Sequence, residues 1–237
     1  MPYETLISQL KNDLGLELEP VALKRAPQAP KGVSVLTEAF PSACTFWRKA
    51  EKELFFATES AHLGCPIGAM VMGFELPKEK EEELLELVGE MCSLSYLKEK
   101  EIPNIPKLTD SRGGVLYGPL RTFPLEPEVV ILWVTPAQAM ILQEATGELA
   151  WSLETQPGGV FGRPACAVLP KSLERNRPTL SMGCTGMRTF TEIAESRMPV
   201  AIPGPLLSDL DGNLRQTVSA NRKMKERYLK KKRGVYA

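Results

Sequence analysis

The chain has 237 residues, with lysine plus arginine matching aspartate plus glutamate at 29 each. A hydrophobic share of 43% and a charged share of 24% are those of an ordinary globular protein with a substantial core. The charge balance excludes a bulk attraction to nucleic acid or anionic lipid.

The elements read in chain order as follows. Residues 3–14 place Leu6, Ile7, Leu10 and Leu14 at helical spacing before Gly15 stops the run. This N-terminal stretch is amphipathic and charged, unlike a signal peptide. PVALKRA (20–26) reads as a strand, CTFWRKA (44–50) as a short helix and ELFFATES (53–60) as a strand. Pro66 opens a helix along IGAMVMGF. The longest helix is expected over 77–97, acidic at its start as the helix dipole favours. Its apolar stripe of Leu84, Leu85, Leu87, Val88 and Met91 is expected in the core, with Cys92 joining it. IPNIPKL and DSRGGVLYGPL read as a Pro- and Gly-rich connector.

VVILWV (129–134) is a continuous apolar run, expected as a strand buried on both faces. PAQAMILQEATG follows as a helix with Pro at its start and Gly at its end. TLSMGC (179–184) and MPVAIPG (198–204) read as strands, and a long helix starts near Leu206. The most apolar run is too short to span a bilayer and is broken by Pro136. The chain therefore reads as soluble and cytoplasmic, with no nucleic-acid or membrane partner. The fold class is α/β or α+β, a mixed sheet with flanking helices in a single domain over residues 1–237.

Five cysteines stand at 44, 65, 92, 166 and 184, with no CxxC pair. An odd number in a chain of this kind argues for thiols, metal ligands or core fillers rather than disulfides. Two phrases resemble each other. Ser42-Ala43-Cys44 is followed by Gly64-Cys65, and Pro164-Ala165-Cys166 by Gly183-Cys184. Each runs cysteine, short helix, strand, Gly-Cys, then a turn into a helix. The reading is an internal duplication with half-repeats at 16–100 and 115–210, followed by a basic helix at 206–232.

Taken in order, LELEPVALK, CTFWRKA, HLGCPIGA, GFELPKE, PLEPEVVILWVTPAQAM, GRPACAVLP and SMGCTGMRTF carry a resemblance. Over roughly residues 5–225 the chain resembles the uncharacterised prokaryotic ArCR family, domain of unknown function 169. The resemblance implies that Cys44, Cys65, Cys166 and Cys184 lie in shared phrases, and Cys92 in a variable helix. It implies no catalytic residue.

The chemistry is read from the residues. Cys65 and Cys184 stand where helix N-termini favour thiolate over thiol. Four cysteines paired by pseudo-symmetry could ligate an iron–sulfur cluster or other metal. The plain alternative is that cysteines fill gaps in the core. His62, the only histidine, is a candidate to orient or protonate a bound species. Gly68, Gly186, Arg163 and Arg188 lie in turns that could hold a cofactor or anion, although such arginines commonly salt-bridge surface acids.

Two functions follow. One is a redox or cofactor-handling protein with its metal between the half-repeats, meeting a small molecule or a redox partner protein. The other is a binding module for an anionic or tetrapyrrole-like ligand, with structural cysteines. A homo-oligomer is compatible with both.

Overall fold

In the computed structural model, residues 3–110, 112–152 and 164–235 are described. Among these residues eight strands form one sheet: β1 (Val21–Ala26), β2 (Ser34–Leu36), β3 (Phe55–Thr58), β4 (Gly114–Pro119), β5 (Val129–Val134), β6 (Ala150–Trp151), β7 (Thr179–Leu180) and β8 (Met198–Pro203). Their order is β2-β3-β4-β1-β5-β8-β7-β6. The outermost pairs, β2 with β3 and β6 with β7, are parallel, and all other neighbours are antiparallel. The mixed α/β architecture expected from the sequence is present, and β5 is buried along its whole length.

The sheet maps onto itself when β1, β2, β3 and β4 are exchanged with β5, β6, β7 and β8. Val21 faces Ile131 and Leu23 faces Val129, so the exchange pivots between Ala22 and Val130. Outward from there the registers agree. Val21 faces Pro119 as Val129 faces Pro203. Tyr117 faces Phe55 as Ala201 faces Thr179, and Phe55 faces Ser34 as Thr179 faces Ala150. The faces agree too: Val21 and Val129 point into one core layer, and Ala22 and Val130 into the other.

This register differs from the sequence reading in its boundary. Residues 114–119, read there as connector and as the opening of the second half, form β4, the inner neighbour of β1. Its glycines are packing residues rather than turn signals. A Cβ on Gly114 would meet the Phe56 ring at 2.4 Å, and one on Gly118 would meet Leu54 Cδ1 at 2.6 Å. Only glycine lets β3 and its flank approach so closely.

Helices cover both faces. α1 (Glu4–Ser8) runs into a π-helical turn, and α2 (Thr45–Ala50), α3 (Glu59–His62), α4 (Pro66–Val71) and α5 (Lys78–Ser93) follow. Beyond β5 come α6 (Pro136–Thr146), α7 (Val168–Arg175), α8 (Thr185–Thr191) and α9 (Leu207–Val235). One layer packs α2, α4, α7 and α8 on the sheet through Phe46, Trp47, Val71, Met72, Leu169 and Met187. The opposite layer packs α1, α6 and α9 through Leu6, Leu10, Leu142, Leu210 and Leu214. Thr135 and Gln138 close a capping box at the start of α6.

α5 departs from expectation. None of its residues is buried, and Leu85 is 70% exposed. The stripe that reads as core in the sequence lies outside both core layers, and Cys92 is only half-buried. Helical periodicity reports an apolar face; it does not report what covers it.

Candidate functional site

Each half places two cysteines at helix starts on the same face of the sheet. Cys44 caps α2, and Cys166 lies in the tight turn Ala165–Ala167 that leads into α7; both are buried. Cys65 caps α4 ahead of Pro66, and Cys184 caps α8; both are half-buried. The Met187 N–H donates to Cys184 Sγ at 3.4 Å. Gly183 reaches this turn at φ +83°, a left-handed conformation that suits glycine.

Gly68 has a packing role beside Cys65. A Cβ there would lie 2.6 Å from Ala43 Cβ and 3.1 Å from Cys65 Sγ. The absent side chain brings the first turn of α4 against the start of α2. Gly186 contrasts with it: a Cβ would meet nothing within 4 Å.

The helices cross between halves. α2, which follows Cys44, packs on α8, which follows Cys184. α4, which follows Cys65, packs on the turn that holds Cys166. Cys44 and Cys166 belong to one core layer, and Cys65 and Cys184 pack against it. Burial pushes the Cys44 thiol well above its ordinary range, and Cys166, Cys184 and Cys65 add to the shift. Burial does the same to Cys166, followed by Cys65 and Cys184. Cys65 is raised by burial, while backbone hydrogen bonds at Ala43 and Gly68 oppose the shift. Among the described residues, no three His, Cys, Asp or Glu side chains converge on the position of a single metal ion.

His62 lies beneath this cluster with no exposed surface. Its Nδ1 is 2.8 Å from the Thr58 carbonyl, which can only accept, so Nδ1 carries the proton. Nε2 is therefore the acceptor for the Tyr117 hydroxyl at 3.1 Å. Desolvation lowers the His62 pKa to about 4, so the ring is neutral at physiological pH. The phenol of Tyr117 is raised by burial, then by Cys44 and Cys166. Tyr117 thus bonds the histidine and shares a core layer with the two buried thiols. Both ring nitrogens of His62 are engaged within the fold, at the Thr58 carbonyl and the Tyr117 hydroxyl. Sequence reasoning missed Tyr117 because VLYGPL read as connector; its assignment as a strand would have aligned Tyr117 with Phe55.

The remaining candidates disperse. The Arg188 guanidinium donates to the carbonyls of Met182 at 2.6 Å, Glu195 at 3.3 Å and Arg197 at 3.3 Å. It clasps the chain around α8. Arg163 lies outside the described residues. No helix among the described residues is long and apolar enough to cross a membrane.

The sequence model of the family described as "Uncharacterised ArCR" matches residues 9–211. The chain belongs to the ArCR family. It is similar to a protein of Methanocaldococcus jannaschii named "Uncharacterized protein MJ0308", at 26% identity over 193 residues. That match covers 79% of this chain and 81% of the archaeal protein. No solved structure matches the chain. All four clustered cysteines fall within the part of the chain that defines this ArCR member.

Proposed function

We propose that this ArCR protein is a redox or cofactor-handling protein with a cysteine-ligated centre, an iron–sulfur cluster, between two half-repeats. The observation that carries the reading is the packing of four cysteine-bearing elements from the two halves: α2 on α8, and α4 on the turn of Cys166, with all four cysteines in or against one core layer.

Thiolates are the ligand form of cysteine, and each one formed here makes the next harder to form. The set can ionise together only around compensating positive charge. A cluster supplies such charge and is held by four thiolates. When bound, it would supply one-electron exchange. Cys44 and Cys166 are the buried pair, and Cys65 and Cys184 the pair nearer solvent, where a redox partner protein would approach. Tyr117, its proton directed to His62, fixes the polar edge of an otherwise apolar wall. A pocket for an anionic or tetrapyrrole-like ligand would have to draw Arg188 from its three carbonyls.

Anaerobic reconstitution with iron and sulfide, followed by iron analysis and visible absorption, tests the proposal. The expected product is brown, with iron bound in proportion to the chain. Cys44→Ser, Cys65→Ser, Cys166→Ser and Cys184→Ser should each lower the bound iron, and Cys92→Ala should leave it unchanged. A colourless, iron-free protein overturns the reading, as does iron lost on Cys92→Ala alone.

A further inference from the structure

Two helices on opposite faces of the sheet carry complementary, uncovered surfaces. α5 has six acidic residues against two basic ones and buries none of its residues. Its outer face presents Glu82, Leu85, Glu86 and Glu90, and the turn beyond it presents Leu94, also 70% exposed. The far end of α9, residues 222–233, has eight basic residues and one acid, and every one is exposed.

Between this arm and α6 runs a groove of about 760 Å³. Its floor is apolar, with Met140, Ile141, Met224, Tyr228 and Leu229, and Arg222 and Lys225 stand on its rim. The two acids that border it have partners already. Asp13 lies 3.5 Å from Arg215, and Glu144 accepts from Asn221.

We propose that α5 of a second copy of this chain docks in the groove between α6 and α9. An apolar floor with a basic rim is matched by a helix face that sets exposed Leu85 among Glu82, Glu86 and Glu90. The charge is complementary along both elements, and the arm offers about 20 Å of helix at 1.5 Å per residue. The chain's own α5 does not fill the groove, because it packs on α4 in the cysteine layer, whereas α6 and α9 belong to the opposite layer. Each copy offers one acidic helix and one groove on opposite layers, so the contact is heterologous and passes head-to-tail from copy to copy.

α5 also borders the cysteine cluster: Glu83 acts on Cys65, and Tyr96, just past the helix, donates to Thr185 Oγ1 at 3.1 Å beside Cys184.

Sedimentation velocity on the full chain tests the proposal at about 20 mM and about 500 mM salt, since screening weakens such contacts. Self-association into dimers and longer head-to-tail oligomers at low salt, reversed at high salt, is expected. The pairs Glu86→Lys/Glu90→Lys and Arg222→Glu/Lys225→Glu should each weaken association by roughly tenfold or more. Combining both pairs in one chain should restore it, and circular dichroism should show all variants folded. A chain that stays monomeric at low salt overturns the proposal; this is also the result if the basic arm serves an RNA or a membrane instead. Association indifferent to both reversals, or a combined variant as weak as either pair, overturns it too.

Discussion

The two halves of the sheet share a backbone plan and differ in what surrounds their sulfurs. In the first half, Tyr117 stacks on Phe46 and Phe55 with ring centroids 5.6 Å apart, and His62 sits 4.7 Å from Phe74. In the second half, the positions in register with Tyr117 and Phe55 are Ala201 and Thr179. The strand pairing that delivers cysteines to one face is two-fold. The aromatic lock beside them is one-sided. A repeated backbone can set positions while a single half sets the environment, because register is a main-chain property and burial belongs to side chains.

The largest expected effect tests that asymmetry. Tyr117→Ala should destabilise the fold by about 4 kcal/mol in urea unfolding, the cost of a large cavity in a buried aromatic cluster. Tyr117→Phe should cost less, about 1–3 kcal/mol, since stacking survives while His62 Nε2 loses its donor. Ala201→Gly, in the equivalent position, should cost about 1 kcal/mol. Equal losses at 117 and 201 would mean that the two walls are energetically alike.

Titration of stability sharpens the comparison next. The His62 pKa is lowered by desolvation from 6.5 to about 4, so the folded state holds the ring neutral. Its contribution is fully present above pH 6.5 and is lost as pH falls toward about 4. That window should carry up to about 3 kcal/mol, and His62→Gln should flatten the profile. A wild-type curve as flat as the variant's would remove the buried neutral imidazole from the account.

The smallest effect sets one glycine against another. Gly68→Ala should destabilise by about 1–3 kcal/mol, because the added methyl meets Ala43 and Cys65 with little room to give. Gly186→Ala enters open space in a helix and should stabilise by about 0.5 kcal/mol. Thermal unfolding of the two variants resolves the difference in sign.

Much of this arrangement was legible in the sequence, for reasons that also explain the misses. Gly-Cys-Pro and Gly-Cys-Thr mark the starts of α4 and α8 because cap chemistry is local. The apolar run of β5 signals burial on both faces. β4 was hidden because Gly114 and Gly118 serve close packing, which one chain segment cannot reveal about its neighbours. TLSMGC reads as a strand to Cys184, yet the ladder stops at Leu180 and the turn at Gly183 takes over. The depth of His62 and its partner Tyr117 were also out of reach, since the two are 55 positions apart in the chain.

Among the described residues, the sheet ends on very short strands: β2 has three residues and β6 has two. An eight-stranded sheet with long free margins would be a template for uncontrolled strand addition and fibre growth. Here each margin offers too few unpaired main-chain groups to hold an incoming strand. A crowded solution of this protein should therefore resist amyloid-type polymerisation.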